Sequence, residues 1–212
     1  MSELDELFIK YNTDKSSLRN NYTHMYEMLF KGMKNDVKKV LEIGVACGGS
    51  VKSWRDYFPN ATIYGMDINP NCVSFNEERI KVTIGDATDK EVVKKFIAEN
   101  GSDFDIIIDD GSHFMTHYVK SFDLLFEHVK SEGLYVFEDL GVCYDVPCFK
   151  PFKDSKDFVF TDYLKDLVDD MNMHSLSYLT DFGDFSKYAK KDKSKDIKYM
   201  SFGNHIAFIH KK

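Results

Sequence analysis

Residues 37–50 read VKKVLEIGVACGGS, and this stretch decides the fold. The apolar run before Gly44 has the length and the valine and isoleucine content of a buried strand. Gly48 and Gly49 follow, and a segment with helical spacing begins at Ser50. A strand, a glycine-rich turn and a helix in this order are typical of a parallel α/β sheet, whose ligands bind beyond the carboxyl ends of the strands.

The same alternation of strands and helices continues towards the C-terminus. It predicts strands over 37–43, 62–66, 80–84, 104–108 and 134–137, helices over 50–58, 89–99, 114–129 and 158–173, and a terminal hairpin of 197–202 with 205–209. Right-handed crossovers between such strands generate a doubly wound sheet. We therefore predict an α/β fold with a Rossmann-like, doubly wound, seven-stranded sheet that is mostly parallel and has an antiparallel C-terminal hairpin.

Two other parts of the chain have weaker patterns. Residues 1–36 are predicted to form a helical cap on the substrate side, in front of a cofactor-binding domain over 37–212. In the C-terminal third, 175–179 is predicted to be extended, and 181–196 to be charged and exposed. Neither part carries a repeat or a low-complexity tract.

Charge and composition exclude several classes of protein. The chain has 212 residues, with 28 basic and 35 acidic side chains, and its net charge of −7 argues against a nucleic-acid partner. No apolar run approaches the roughly 18 residues of a membrane span, and no secretory signal is visible at the start. The four cysteines lack CxxC spacing and are expected to be free thiols. We therefore expect a cytoplasmic protein without membrane insertion, and a homo-oligomer is left open.

Acidic residues stand at or near the ends of four predicted strands: Glu42, Asp67, Asp86 and Asp109. A single such acid is usually a helix cap or a surface residue, but four at one edge of a sheet indicate a binding site. A carboxylate at Asp67 can accept hydrogen bonds from the two hydroxyls of a ribose. A dinucleotide is one candidate ligand, although Ala46 takes the place of the second glycine of a dinucleotide-binding turn.

A second polar cluster follows the fourth and fifth predicted strands. The segment DDGSH at 109–113 comes after one strand, and the pair ED at 138–139 comes after the other. Because neighbouring parallel strands end at the same edge, Asp110, Glu138 and Asp139 should converge, and converging carboxylates need a cation or a proton. Oxygen ligands favour a hard cation such as Mg²⁺ or Mn²⁺.

Two histidines lie beside this cluster. The imidazole of His113 can take a proton near neutral pH, and we predict His113, with Asp110 beside it, as the catalytic pair. His117, one helical turn further on, is predicted to support the substrate side. A zinc site of the two histidines, which share a helix face, is the alternative, but no cysteine is placed to complete it.

The loop after the fifth predicted strand is rich in aromatic residues. Tyr144, Phe149 and Phe152 lie in it, and an aromatic loop at this place can stack on a sugar or close over a site. A connector that covers the sheet edge is the alternative. We predict Tyr144 as a substrate contact and interpret His205, in the terminal hairpin, as structural.

The motifs around the glycine turn resemble those of class I S-adenosylmethionine-dependent methyltransferases. The matching segments are LEIG at 41–44, GGS at 48–50, GMD at 65–67 and GD at 85–86. The resemblance implies that the turn lies under the methionine and ribose of the cofactor, with Asp67 on the ribose hydroxyls and Asp86 near the adenine. The residues assigned to this cofactor are Glu42, Gly44, Gly48, Ser50, Asp67, Asp86 and Asp109.

The polar cluster after the fourth and fifth predicted strands resembles a smaller group within these methyltransferases. DDGSH at 109–113 and YVFED at 135–139 are similar to the metal-dependent sugar O-methyltransferases of macrolide pathways, the mycinamicin and macrocin enzymes, and to relatives in polysaccharide clusters. YNTDK at 11–15 and HMY at 24–26 also resemble the amino-terminal motif of this group. We expect the long amino-terminal domain of the macrolide enzymes to be absent.

This resemblance implies methyl transfer from S-adenosylmethionine to a hydroxyl of a sugar or other polar small molecule, in surface-polysaccharide or natural-product biosynthesis. By it, Asp110, Glu138 and Asp139 bind a divalent cation, Mg²⁺ or Mn²⁺, and His113 is the general base. Two alternatives stay open. One is a non-sugar acceptor, such as a phosphoryl-linked capsule precursor or a catechol, and the other is an NAD-dependent oxidoreductase. A non-catalytic binding module is disfavoured because all four side chains are present.

Overall fold

Seven strands form one sheet in the order β3–β2–β1–β4–β5–β7–β6. The computed structural model describes residues 1–144, 146–155, 158–175 and 189–212. The strands are β1 Lys39–Ile43, β2 Thr62–Asp67, β3 Ile80–Ile84, β4 Phe104–Asp109, β5 Val129–Phe137, β6 Ile197–Gly203 and β7 Ile206–Lys211. The first five are parallel, whereas β7 is antiparallel to β5 and to β6. The predicted mixed sheet with a C-terminal hairpin is therefore confirmed.

The described part of the chain contains six α-helices. They are α1 Glu3–Lys10, α2 Thr23–Phe30, α3 Gly49–Tyr57, α4 Lys90–Asn100, α5 Met115–Leu125 and α6 Phe160–Ser175. Helix α4 shows how local sequence sets such bounds: Asp89 caps its start by accepting from the amide of Glu91, and Gly101 ends it with a φ of +78°. None of these helices is long and apolar enough to cross a membrane.

Two predicted boundaries, the end of the third helix and the start of the fifth strand, are wrong. The helix predicted over 114–129 ends at Leu125, and β5 begins at Val129 rather than at residue 134. Gly133, a residue type that often follows the end of a helix, lies inside the strand next to Glu132, whose φ of +64° accompanies a register shift against β4. A glycine inside a strand often marks such an irregularity.

Part of the C-terminal third cannot be compared with its prediction. The predicted extended segment at 175–179 lies outside the described residues, apart from Ser175 at the end of α6. The stretch at 181–196 is described only from residue 189 onwards. There, a short 3-10 turn, Asp192–Asp196, leads into β6.

Both faces of the sheet are buried. Along β1, Val40 packs on one face with Phe8 and Trp54, whereas Leu41 packs on the other face in the cluster that contains Phe122. All six residues of β4 are buried. Strands covered on both faces are typical of a doubly wound sheet.

The first two helices, α1 and α2, pack on the face of the sheet that contains Val40. The rings of Phe8 and Trp54 lie 5.1 Å apart, and those of Tyr26 and Phe208 lie 5.5 Å apart. Residues 1–36 thus pack directly on the sheet, and their predicted division from 37–212 stays a prediction. This packing fixes the loop between α1 and α2, residues 11–22, which we call the N-terminal loop.

Candidate active site

The carboxyl ends of β1, β2, β4 and β5 lie level with one another. In the register of the sheet, Ile43 pairs with Met66 and with Asp109, and Asp109 pairs with Phe137. The loops that follow these strands therefore meet at one edge, and the N-terminal loop lies against them. The acidic residues predicted at this edge are brought into one region, although their side chains do different things.

Two adjoining cavities lie around the turn after β1, and we refer to them together as the glycine-turn cavity. One part, of about 350 Å³, lies between that turn and the N-terminal loop, and the other, of about 150 Å³, lies at the ends of β2 and β3. Gly44, Asp67 and Gly111 line both parts. An elongated ligand that passes Asp67 can therefore occupy both.

Glycines allow this turn to pass close to other backbone. Gly44 has a φ of +88°, and a Cβ atom there would lie 2.1 Å from the carbonyl oxygen of Asp110. Gly48 has a φ of +73° and packs against the ring of Phe75 rather than facing the cavity. Of the predicted cofactor residues in this turn, Gly44 and Ser50 line the cavity.

The carboxylate of Asp67 holds the turn in place. One oxygen accepts from the amides of Val45 at 2.8 Å and Ala46 at 3.0 Å, and the other accepts from the amide of Asn69 at 2.8 Å. Although partial burial opposes it, these hydrogen bonds lower the pKa of Asp67. Asp67 is therefore an anion that lines the cavity and also shapes it. Its predicted contact with a ribose stays a prediction.

Asp86 and Asp109 line the smaller part of the glycine-turn cavity. Asp86 accepts from the amide and hydroxyl of Thr88, both at 2.8 Å, and these bonds lower its pKa against the effect of burial. Asp109 is 4% exposed and accepts from the hydroxyls of Ser121 and Tyr135. Burial raises the pKa of Asp109 to about 6.

Glu42 lies behind the cavity. Its side chain is completely buried, because alternation along β1 places it on the face covered by α1, α2 and α3. The hydroxyl of Ser50 donates to it at 2.8 Å, and burial raises the pKa of Glu42 to about 7. Glu42 therefore holds the first turn of α3 through Ser50.

The two residues predicted on the substrate side, His117 and Tyr144, line different cavities. His117 lines the smaller part of the glycine-turn cavity, and its Nδ1 lies 2.8 Å from the hydroxyl of Ser112. Tyr144, the other predicted substrate contact, lines a separate cavity beside the terminal hairpin. The structure thus does not bring these two residues together.

Three potential metal ligands converge beyond β4 and β5. Donor atoms of Asp110, His113 and Asp139 all lie within 4.8 Å of one another, and the Nε2 of His113 lies 3.6 Å from a carboxylate oxygen of Asp139. The side chains of His113 and Asp139 are each 25% exposed, so the group is open to a ligand. His113 and Asp139 have left-handed backbones, with φ of +59° and +55°. Such conformations are found at functional sites when surrounding structure holds them.

Glu138, predicted as a metal ligand, has other partners. It is 1% exposed and accepts from the ammonium of Lys15 at 2.8 Å and from the hydroxyl of Tyr26. Its carboxylate is therefore bound on the side of the N-terminal loop, while His113 completes the group with Asp110 and Asp139. The predicted role of Glu138 as a ligand stays a prediction.

Lys15 was not predicted as a site residue. It is 1% exposed and lies 2.5 Å from Asp110, 2.8 Å from Glu138 and 3.6 Å from Glu42. Burial alone would lower the pKa of Lys15, but the three carboxylates raise it well above the ordinary value. A permanent ammonium thus compensates part of the acidic cluster.

Tyr22 was also missed. Its hydroxyl donates to Asp139 at 2.7 Å, and burial, with the neighbouring carboxylate, raises the pKa of Tyr22. The YNTDK and HMY motifs pointed to this part of the chain, because they contain Lys15 and Tyr26. They gave no indication of a contact with Glu138 or Asp139, which lie more than 100 residues away.

The donor set fits a hard divalent cation. It offers two carboxylates and one imidazole on an open edge, and Lys15 contacts one carboxylate oxygen of Asp110, which leaves the other for a ligand. The remaining negative charge is a further reason to expect a cation here, since nearby carboxylates repel unless a positive charge separates them.

A cavity of about 390 Å³ lies on the other side of His113, and we call it the histidine cavity. Its lining residues are Asn20, His113, Asp139, Gly141, Val142, Phe149, Phe152 and His205. The ring of Phe152 lies 5.8 Å from that of His113, edge to face. The predicted aromatic loop therefore reaches the site through Phe149 and Phe152.

The order of the strands, the antiparallel last pair and the glycine-turn cavity define an α/β methyltransferase fold. The chain belongs to the FtsJ-like methyltransferase family, whose profile matches residues 22–137. The resemblance to S-adenosylmethionine-dependent methyltransferases, drawn from the motifs, is therefore confirmed.

Individual relatives show which methyltransferases of this family the chain is similar to. Over 149 residues the chain is 40% identical to mycinamicin VI 2''-O-methyltransferase of Micromonospora griseorubida. The matched stretch is 67% of this chain and 37% of that protein. Over 218 residues it is 34% identical to demethylmacrocin O-methyltransferase of Streptomyces fradiae. This match covers 99% of this chain and 53% of that protein. The similarity to sugar O-methyltransferases of macrolide pathways is thus confirmed.

A solved structure of a methyltransferase is also similar to this chain. The MycE methyltransferase of the mycinamycin pathway, in complex with Mg and SAH, has a TM-score of 0.84 and 33% identity over 99% of this chain and 54% of its own. The chain thus spans about half the length, or less, of the relatives that it matches.

Proposed function

We propose that this chain is an S-adenosylmethionine-dependent O-methyltransferase that uses a divalent cation and methylates a hydroxyl of a sugar. One observation carries the proposal: His113 lines both the glycine-turn cavity and the histidine cavity. A base at this place can reach an acceptor in one cavity next to a methyl donor in the other. Relatives named for O-methylation of mycinamicin VI and demethylmacrocin support the same chemistry.

The surroundings of His113 select the tautomer that a general base requires. The hydroxyl of Tyr118 donates to the carbonyl of Glu138 at 2.9 Å, so its proton is already used. The Nδ1 of His113 lies 3.4 Å from the same hydroxyl oxygen and must therefore carry the proton in that contact. This leaves the lone pair on Nε2, the atom that faces Asp139 and the open cavity.

The reaction then needs one proton acceptor and an aligned methyl group. The hydroxyl oxygen attacks the methyl carbon, the C–S bond of the donor breaks, and the proton passes to Nε2 of His113. Asp139, 3.6 Å from Nε2, stabilises the imidazolium that results. Most of the remaining rate enhancement comes from holding the two substrates in line.

Asp110 and Asp139 are the residues that would hold a divalent cation, with Glu138 beside them, because Nε2 of His113 has to stay free to accept the proton. When bound, such a cation supplies positive charge that favours the deprotonated form of a hydroxyl and orients it. The ammonium of Lys15 donates to Asp110 and the hydroxyl of Tyr22 donates to Asp139, so both carboxylates are held in place.

The same proposal covers the setting of the reaction. We place the acceptor in surface-polysaccharide or natural-product biosynthesis, in the cytoplasm, and expect no nucleic-acid partner. A non-sugar acceptor with two adjacent oxygens would fit the donor set equally, and an NAD-dependent oxidoreductase is the more distant alternative.

Replacing His113 by Ala tests the proposal. Methyl transfer from labelled S-adenosylmethionine to mycinamicin VI or demethylmacrocin should fall about 10²- to 10⁴-fold, because the proton acceptor is removed. Binding of S-adenosylhomocysteine, measured by calorimetry, should not change. His24→Ala, at an exposed position outside the described cavities, is the matched control.

Chelation is the second arm of this experiment. EDTA should remove activity, and Mg²⁺ or Mn²⁺ should restore it. Full activity of the His113→Ala protein would refute the general base, and activity that ignores EDTA would refute the metal.

A further inference from the structure

Two of the four cysteines lie at the turn after β1, beside the glycine-turn cavity. Cys47 belongs to that turn, is exposed and lines the cavity. Cys72 is 1% exposed and lies in the 3-10 helix Pro70–Phe75, which follows β2. Both are free thiols, and neither has a part in the chemistry described above. An exposed thiol with a second thiol close behind it is the arrangement that oxidation can join.

The side chain of Cys72 is directed at the turn that carries Cys47. Its Sγ lies 3.5 Å from the carbonyl oxygen of Ala46, so it contacts the peptide bond between Ala46 and Cys47. The next residue, Gly48, packs against the ring of Phe75 at the end of the same 3-10 helix. The helix is thus held directly against the turn, and a bond between the two sulfur atoms requires movement of the turn alone.

The surroundings of the two thiols give them different parts. Burial raises the pKa of Cys72, and the carboxylate of Asp67 and the neighbouring Cys47 raise it further. Cys72 is therefore protonated at neutral pH and shielded from solvent, whereas Cys47 is open to it. An oxidant in solution reaches Cys47 first, and Cys72 is the thiol that can react with the oxidised product.

We propose that Cys47 and Cys72 are a site of reversible oxidation by hydrogen peroxide, and that their disulfide and the cofactor exclude each other. The thiolate of Cys47 attacks the peroxide, the O–O bond breaks, and a sulfenic acid and one water are formed. The sulfur of Cys72 then attacks the sulfenic sulfur, the S–O bond breaks, and a second water leaves. The two thiols together lose two hydrogen atoms, and both oxygens of the peroxide are reduced to water.

The disulfide would disturb the cavity in two ways. Cys72 hydrogen-bonds to the carboxylate of Asp67, and it would lose the proton that it donates. The Cβ atoms of a disulfide lie about 3.5 to 4.5 Å apart, and because Cys72 is buried, the turn has to move towards it. Ala46 and Gly48, on either side of Cys47, have left-handed φ values of +46° and +73° that this movement would change.

The inference uses only the cofactor side of the proposed function. It depends neither on the acceptor nor on the cation, since Cys47 and Cys72 do not line the histidine cavity and are not among the potential metal ligands. Its readout is therefore binding of S-adenosylhomocysteine rather than methyl transfer.

Treatment of the full chain with hydrogen peroxide tests the bond. The oxidised chain should be lighter than the reduced chain by two hydrogen atoms, and a proteolytic digest should contain a peptide pair that joins Cys47 to Cys72. By calorimetry, S-adenosylhomocysteine should bind the oxidised chain at least about tenfold more weakly, a common size for coupling between two events. Dithiothreitol should restore the original affinity.

The coupling has to be reciprocal. In buffers that contain oxidised and reduced dithiothreitol, the equilibrium constant for formation of the disulfide is read from the digest. S-adenosylhomocysteine, at a concentration that saturates both forms, should lower this constant by the same factor by which oxidation weakens its binding.

Variants locate the effect. Cys47→Ser, at an exposed position, should bind S-adenosylhomocysteine equally well before and after peroxide. Cys148→Ser is the matched control, because Cys148 is also exposed but lies in the loop after β5, and this variant should lose affinity as the parent does. Each variant is compared with itself before and after oxidation, so any effect of the substitution on binding cancels.

Three results would overturn the proposal. They are a digest without a link between Cys47 and Cys72, a link that leaves the affinity for S-adenosylhomocysteine unchanged, and a loss of affinity that Cys47→Ser retains. A link between Cys143 and Cys148 in its place belongs to the first of these. Failure of the reduced chain to bind S-adenosylhomocysteine would instead refute the proposed function, and the digest distinguishes the two cases because it detects the disulfide without any ligand.

Discussion

Three carboxylates share one ammonium group at the buried end of the site, and Lys15 supplies it. An ion pair of this kind adds little net stability, because both charges lose their hydration. Replacing Lys15 by a neutral residue would be destabilising, since Glu42 and Glu138 would then remain buried without a counterion. The residue therefore acts as a fixed charge that makes the acidic cluster tolerable.

Lys15→Met should destabilise the chain strongly. We expect a loss of about 3 to 5 kcal/mol in the free energy of unfolding, the usual cost of breaking a buried pair, measured by urea denaturation at pH 8. Lys198→Met is the control, because Lys198 pairs with Glu132 on the surface and should matter by no more than about 1 kcal/mol. Equal effects of the two substitutions would contradict the role assigned to Lys15.

Glu42→Gln should change how stability depends on pH. The pKa of Glu42 is raised from an ordinary value of 4.5 to about 7 in the folded chain, so the folded state holds a proton that the unfolded state loses. Stability contributed by this proton is present below pH 4.5 and is lost as the pH rises to 7.

The measurement is a comparison of unfolding free energies between pH 4.5 and 8. Between pH 4.5 and about 7, the unfolding free energy of the Gln variant should rise relative to that of the parent by up to about 3 kcal/mol. Above that range the difference between the two should be constant. Its amide oxygen can still accept from Ser50, which keeps α3 in place. A difference that is constant with pH would show that Glu42 does not titrate in this range.

Among the elements, the turn after β1 shows what sequence can predict. A strand, glycines and a helix follow one another within fifteen residues, so a local pattern encodes the whole unit. The start of β5 was predicted too late because a glycine such as Gly133 is also typical of the position just after a helix. The positions of Asp67, Asp86 and Asp109 at strand ends could be predicted, but not that Asp67 would bind the turn itself.

Gly44→Ala should disrupt this element. A Cβ atom would lie 2.1 Å from the carbonyl of Asp110, at a φ that L-residues avoid, so the turn or β4 must move. We expect a loss of at least about 2 kcal/mol in unfolding free energy, together with weaker binding of S-adenosylhomocysteine. Gly32→Ala, where nothing lies within 4 Å of the added atom, is the control and should be nearly neutral. A stable Gly44→Ala protein with unchanged binding would contradict this account.

On the scale of the whole molecule, sequence predicted the sheet but not the charge balance. The mostly parallel, doubly wound sheet follows from the alternation of strands and helices and from the chirality of crossovers, whereas the order of all seven strands was not predicted. Lys15 has no local signal, because its partners lie 95 and 123 residues further along the chain. A net charge of −7 therefore concealed a site that is partly neutralised from within.

Ligand binding should stabilise the entire fold. S-adenosylhomocysteine at about a hundred times its dissociation constant should raise the melting temperature by about 5 to 10 °C, because it binds only the folded chain. Differential scanning fluorimetry measures this, with NADH at the same concentration as the control. A shift with NADH and none with S-adenosylhomocysteine would favour an oxidoreductase.

The long separation between Lys15 and its carboxylates also sets the order in which the site can be assembled. Loops of this length cost conformational entropy before any contact is gained. Until β4 has docked beside β1 and β5 beside β4, the ammonium and the carboxylates each remain in water. A refolding chain therefore has no early, partly ordered form that possesses the site, and competence to bind returns only when the N-terminal loop has met the carboxyl ends of β4 and β5.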